Sequence, residues 1–203
     1  MTFLALGDSY TIGEGVEAGH RWPAQLAATL RAAGTVIADP VIVARTGWTT
    51  RDLLSALAAK PPGRFSLVTI QIGVNDQFRG VAEETYDRDF SEALELAITY
   101  AGDRPGSVVV LSIPDYSVTP FAARLDRTRI ATQIDRFNAI NRRIAKARGA
   151  SYVDVTASSR ESGGDTRMLT ADALHPSHRM YERWIPLIRE EALAASVPTA
   201  PQK

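Results

Sequence analysis

Short apolar runs alternate with longer stretches of helical period along the whole 203-residue chain, and this alternation leaves few architectures open. The clearest run is Phe65–Ile72, FSLVTIQI, a continuous, largely β-branched segment of the kind buried on both faces of a parallel sheet. Thr2–Leu6, Val36–Ala44, Ser107–Ile113 and Ser151–Val155 read as four further strands. Pro40 marks the second of these as an edge strand or one with an irregular start. Helices are expected over Trp22–Ala33, Thr50–Ala59, Glu83–Ala101, Thr128–Arg148 and Ser177–Ala194. Thr49 or Thr50 can cap the second of them, with Asp52 near its positive end. Strands alternating with helices predict an α/β fold: a five-stranded parallel sheet between two helical layers, a three-layer α/β/α sandwich.

In such a sheet, ligands sit outside the carboxyl ends of the strands. The loops to search are therefore Gly7–Gly15, Arg45–Thr50, Gly73–Gly80, Pro114–Phe121 and Thr156–His178. The length fits one domain over residues 1–194, and the tail 195–203 is expected to be disordered.

Composition excludes several chemistries. Lys+Arg and Asp+Glu number 23 each, so no net field draws the chain to nucleic acid or an anionic membrane. The absence of cysteine removes disulfides, thiolate metal sites and a cysteine nucleophile together. No apolar run approaches the roughly 18 to 20 residues of a membrane span, so stable membrane insertion is not expected. No secretory leader is recognised before the first strand, and the expected location is cytoplasmic.

The first loop reads GDSYTIGEG. Its glycines, Gly7, Gly13 and Gly15, match neither the G-x-G-x-x-G dinucleotide spacing nor a phosphate loop, and no lysine follows. Ser9 taken alone is an ordinary turn residue; it becomes a nucleophile only with a base and oxyanion donors in reach. His175, in ADALHPS, stands three residues after Asp172, a spacing that can put both side chains on one face. Asp172 can then hold one imidazole nitrogen while the other takes a serine proton, although a surface Asp–His pair with no task has the same spacing. Pro176 suits the first turn of the following helix, which would place His175 at a helix start. Gly47 in RTGWTT can turn a backbone N–H into a cleft, and Asn75 in QIGVNDQ carries an amide donor, although Asn75 taken alone is an ordinary turn residue. Asp8 and Asp76 read as structural hydrogen-bond acceptors. His178, one helical turn past His175, lacks a third ligand, so no metal site is assigned, and His20 reads as a loop or helix-start residue. Tyr10, Trp48, Phe78, Tyr116 and Phe121 fall in post-strand loops, as walls of a binding pocket or as lids over the core.

The joint order of GDSY, RTGWTT, GVND and DALHP, spanning residues 7 to 176, resembles the SGNH hydrolases, the GDSL esterase/lipase family. The resemblance implies a flavodoxin-like sandwich with Ser9 as nucleophile, His175 as general base and then acid, and Asp172 orienting His175. It implies an oxyanion hole from the N–H groups of Ser9 and Gly47 and the amide of Asn75, with no metal or organic cofactor. The fourth residue of the first motif is Tyr10 where the family's name has leucine, a departure that touches substrate class and leaves the chemistry intact. The expected activity is hydrolysis of a small-molecule carboxylic ester with a small or medium acyl group. A sugar or metabolite O-deacetylase, or a thioesterase, is the alternative on the same fold. A nucleotide- or phosphate-binding module without hydrolase activity is the alternative of another class.

Overall fold

Five parallel strands, β1 (Phe3–Gly7), β2 (Val41–Ala44), β3 (Leu67–Gln71), β4 (Val108–Leu111) and β5 (Ser151–Val153), pair in the order β2-β1-β3-β4-β5. They belong to a computed structural model that describes residues 1–162 and 164–196. The order runs outward from β1 to β2 and then back past β1 to β3. The crevice between the carboxyl ends of β1 and β3 is thus the topological switch point, where ligands bind in doubly wound sheets.

Alternation along the strands supplies both cores. Leu4, Leu6, Val68, Ile70, Val108 and Val110 face the layer formed by α3 (Thr50–Ala59), α5 (Glu83–Tyr100) and α6 (Arg127–Arg148). Phe3, Ala5, Leu67, Val109 and Leu111 face α2 (Trp22–Ala32) and α8 (His178–Ser196), meeting Trp22, Leu26, Leu30, Tyr181 and Trp184. Both faces are dry, which is why these strands read as unbroken apolar runs. Tyr86, Phe90 and Phe137 fill the first core, Tyr86 stacked on Phe137 at 4.3 Å between ring centroids.

Three differences from the sequence expectation have local causes. β2 begins at Val41 instead of Val36, because Pro40 cannot donate to a ladder and Val36 is left exposed. β2 is indeed an edge strand. Short helices α1 (Ser9–Ile12), α4 (Val74–Phe78) and α7 (Thr156–Ser162) occupy stretches expected as loops. Two turns or fewer show too little periodicity to be read from a sequence. The last helix reaches Ser196, two residues beyond the expected end, and the expected disordered tail lies, from 197 on, outside the described residues. Among the described residues, no helix is long and apolar enough to cross a membrane.

Candidate active site

The turn out of β1 is built for close approach. A Cβ on Gly7 would lie 2.1 Å from Thr11 Oγ1 and 2.4 Å from the Gln71 carbonyl, so only glycine lets α1 start directly against β3. Asp8 caps α1, its carboxylate accepting the Tyr10 N–H at 3.0 Å. Ser9 is the first helical residue, and its N–H is one of those with no partner inside the helix. Its hydroxyl stands 2.9 Å from Nε2 of His175.

His175 is held by a closed loop. Leu169 and Pro176 form an antiparallel bridge, Thr170 N–H donates to the His175 carbonyl at 2.8 Å, and Ser177 N–H donates to Met168 at 2.9 Å. The expected placement of Pro176 in a helical first turn is therefore corrected: α8 starts at His178, and Pro176 sits in the bridge that fastens the loop. Within it, Asp172 divides its oxygens. Oδ1 accepts from Thr170 Oγ1 at 2.7 Å, Leu174 N–H at 2.9 Å and His175 N–H at 3.0 Å, while Oδ2 lies 2.6 Å from His175 Nδ1. Partial burial opposes ionisation of Asp172, but the hydrogen bonds, led by that from the His175 ring, outweigh it and hold the carboxyl well below the usual range. Thr170 is a partner that sequence reasoning missed. A hydroxyl two residues before an aspartate carries no signal of its own.

Two further loops converge on Ser9. Gly47 has φ +83°, a left-handed conformation that favours glycine, and its carbonyl accepts from Arg79 Nη2 at 2.6 Å, which fixes the orientation of the adjacent peptide. Asn75, in α4, donates one Nδ2 hydrogen to the Trp48 carbonyl at 2.9 Å, leaving the second N–H of the amide for another acceptor. Buried Asp76 accepts from both the N–H and the hydroxyl of Thr50, at 2.9 and 3.0 Å, tying α4 to the start of α3. That start carries a full capping box of Thr49 and Asp52. Asp76 and Arg79 thus brace the loops of Asn75 and Gly47, a task that appears only once the two loops are adjacent.

Ser9, Gly47, Asn75 and His175 open on one cavity of about 180 Å³. Its walls are predominantly apolar: Tyr10, Phe78, Tyr116 and Phe121 from the expected aromatic set, with Val74 and Leu174, and Thr46 at the edge. Trp48 is the exception among the expected wall residues and is corrected: its indole packs against the core, and only its carbonyl serves the site, through Asn75. Tyr116 meets Phe78 and Phe121 edge-on, at 6.2 and 6.4 Å. His178 faces His20, ring centroids 5.7 Å apart, away from this cavity's lining. Among the described residues, no three His, Asp or Glu side chains gather as a metal site.

Two buried carboxyls lie behind the cavity. Burial pushes Asp8 up to about 8, against the Tyr10 N–H and with a further push from Asp76. Burial likewise pushes Asp76 up to about 6, against its bonds from Thr50. In the unfolded chain both lose their protons near about 3.9. Between that value and each raised value the folded state holds the extra proton, so stability falls as pH rises and levels off above about 8. Carboxyls held low, Asp172 and Asp52, act only below about pH 4, where an ordinary aspartate protonates. The expected result is a Tm that declines from pH 5 to 8, with the decline between 6 and 8 lost in Asp8→Asn relative to its own value at pH 5. A wild-type Tm that rises over that window would contradict this assignment.

Sheet order and a site at the β1/β3 switch point together define a flavodoxin-like α/β/α protein. The chain belongs to the GDSL-like lipase/acylhydrolase family, whose sequence profile matches residues 5–183, and it is a hydrolase that acts on ester bonds. Among solved structures, a lipase/acylhydrolase from Enterococcus faecalis is 23% identical over 98% of this chain and 100% of its own, with a TM-score of 0.72. The lipase Lip_vut3 from a goat rumen metagenome is 20% identical over 94% and 97%, with a TM-score of 0.73. TesA is 23% identical over 98% and 99%, with a TM-score of 0.66. At such identities the likeness is one of fold. Comparison with curated proteins yields no match.

Proposed function

We propose that the chain is a serine esterase that cleaves a carboxylic ester through an acyl-enzyme on Ser9. The carrying observation is the unbroken chain Asp172 Oδ2–His175 Nδ1 (2.6 Å) and His175 Nε2–Ser9 Oγ (2.9 Å), ending in an apolar cavity. His175 Nε2 takes the Ser9 proton as Oγ attacks the carbonyl, and Asp172, ionised, stabilises the imidazolium. The N–H groups of Ser9 and Gly47 and the free amide hydrogen of Asn75 receive the oxyanion. His175 then protonates the leaving alcohol, and water repeats the path to release the acid. Every proton moves between these residues and the substrate, so the scheme draws on no metal or organic cofactor.

The cavity's size and aromatic walls support a small or medium apolar acyl group. The same machinery cleaves thioesters or sugar acetates, but the walls offer little to a sugar's hydroxyls. Among the described residues no Lys or Arg lines the cavity, which weighs against a phosphate-binding module. Hydrolysis of p-nitrophenyl esters of graded chain length tests the reading. Rates should peak at short or medium acyl groups, and Asn75→Ala should lower kcat by about 10²- to 10³-fold, as loss of one oxyanion donor does. An unchanged rate in that variant removes Asn75 from the oxyanion hole, and no turnover of any ester removes the proposal.

A further inference from the structure

The mouth of the cavity is apolar, and the chain that runs on from its Phe121 wall is rich in arginine. Phe78 and Phe121 are 58% and 44% exposed, and Leu125, one turn past Phe121, is 43% exposed. Elsewhere only Val36, Val41 and Leu187 are large apolar side chains exposed among the described residues, so two of the six line one opening and a third follows Phe121 by four residues. Such clustering, unlike scattered exposure, calls for a partner. Arg124, Arg127 and Arg129 are interleaved with these residues, all exposed. Eleven arginines elsewhere pair with a carboxylate, Arg31, Arg51 and Arg160 among them. These three pair with none among the described residues, nor do Arg21, Arg45, Arg104, Arg179, Arg183 and Arg189; what sets the three apart is that they share one six-residue stretch. Asp126, between them, spends its carboxylate on the Arg129 N–H at 2.9 Å, and Arg127 donates to the carbonyls of Thr119 and Ala122. Across the mouth, Arg79 faces Asp52 and the Gly47 carbonyl, and Glu14 accepts from Thr46. Arg127 and Arg129 stand in the first turn of α6, the positive end of that helix, where cations oppose the dipole. Helix stability therefore does not account for them.

We propose that this rim docks the protein reversibly on an anionic lipid surface, with Phe78, Phe121 and Leu125 at the headgroup–acyl boundary and the three arginines against lipid phosphates. Docking turns the cavity mouth toward apolar esters concentrated in the surface, and in that consequence it rests on the esterase reading. The charge complementarity is local, since the whole chain is neutral, and the apolar contact is small. Binding therefore needs both signals together.

The test is co-sedimentation with phosphatidylcholine vesicles, with and without phosphatidylglycerol. Wild type should bind the anionic vesicles and not the neutral ones. Binding should weaken as salt rises from about 0.01 to 0.1 M, over which the screening length falls from about 30 to 10 Å. Arg124→Gln/Arg129→Gln should lower the partition coefficient about 25-fold, roughly fivefold per surface-facing cation. Leu125→Ser should lower it several-fold. None of these residues belongs to the catalytic set or lines the cavity, so kcat/KM on a soluble p-nitrophenyl ester should stay unchanged. Absence of binding to anionic vesicles at low salt, or equal partitioning of wild type and the arginine variant, overturns the docking surface. So does displacement by millimolar inorganic phosphate, which would make the arginines a small-anion site. Sedimentation requires no turnover, so a failure of the esterase reading is seen separately, as loss of hydrolysis of the soluble ester.

Discussion

Ser9→Ala is expected to lower kcat for ester hydrolysis by about 10⁴- to 10⁶-fold with little change in KM, the loss that follows when a serine nucleophile is removed. The change deletes one oxygen at a buried position that opens on the cavity. The backbone N–H of residue 9, Gly47 and Asn75 keep their places. Substrate should therefore still bind, and the small rate that survives should reflect donors and positioning alone. Labelling by a serine-directed fluorophosphonate should vanish in the same variant. Retention of most of the activity would end the acyl-enzyme proposal, because among the described residues no other hydroxyl stands within hydrogen-bonding distance of His175 Nε2.

Asp172→Asn is expected to lower kcat by about 10⁴-fold, the scale seen when a triad aspartate becomes its amide. The variant is informative because the loop should persist. The side-chain oxygen of asparagine can still accept the N–H groups of Leu174 and His175 and the Thr170 hydroxyl, as Asp172 Oδ1 does. The amide nitrogen then faces His175 Nδ1 and donates to it. That contact favours the tautomer protonated on Nε2, which offers Ser9 a donor where it needs an acceptor. The measurements are kcat and Tm together: a collapsed rate at a nearly unchanged Tm separates the proton argument from unfolding. A loss below tenfold would leave Asp172 as a loop residue with no part in the chemistry.

Much of this site was legible because its markers are local. GDS, GVND and D-x-x-H-P each sit where a strand ends or a helix is about to begin, and their order along the chain carried the family. What was not legible depended on contacts between segments. Arg79 looks like any exposed arginine until its guanidinium is seen on the Gly47 carbonyl. Asp76 reads as a structural acceptor without a named donor until the start of α3 lies against it. Trp48 followed a strand, as wall residues do, yet an aromatic side chain in such a loop turns toward whichever apolar surface is nearer, and here that is the core. The arginines at 124, 127 and 129 vanish into a balanced total of charges, and their place just after Phe121 gains meaning only once Phe121 is seen to line the cavity.

The order of layers needed nothing beyond the sequence, because unbroken apolar runs mark strands covered on both faces and a period of about 3.6 residues marks the one apolar face of each helix. The composition likewise closed off cysteine and thiolate chemistry. The meeting of Ser9 with His175, 166 residues apart in the chain, was decided by tertiary structure alone. The sheet places the end of β1 at the switch point, and the Leu169–Pro176 bridge aims the histidine loop at it. A hydrogen bond at 2.9 Å demands a position accurate to a few tenths of an ångström, which comes from packing two cores against one sheet and from no local pattern of residues.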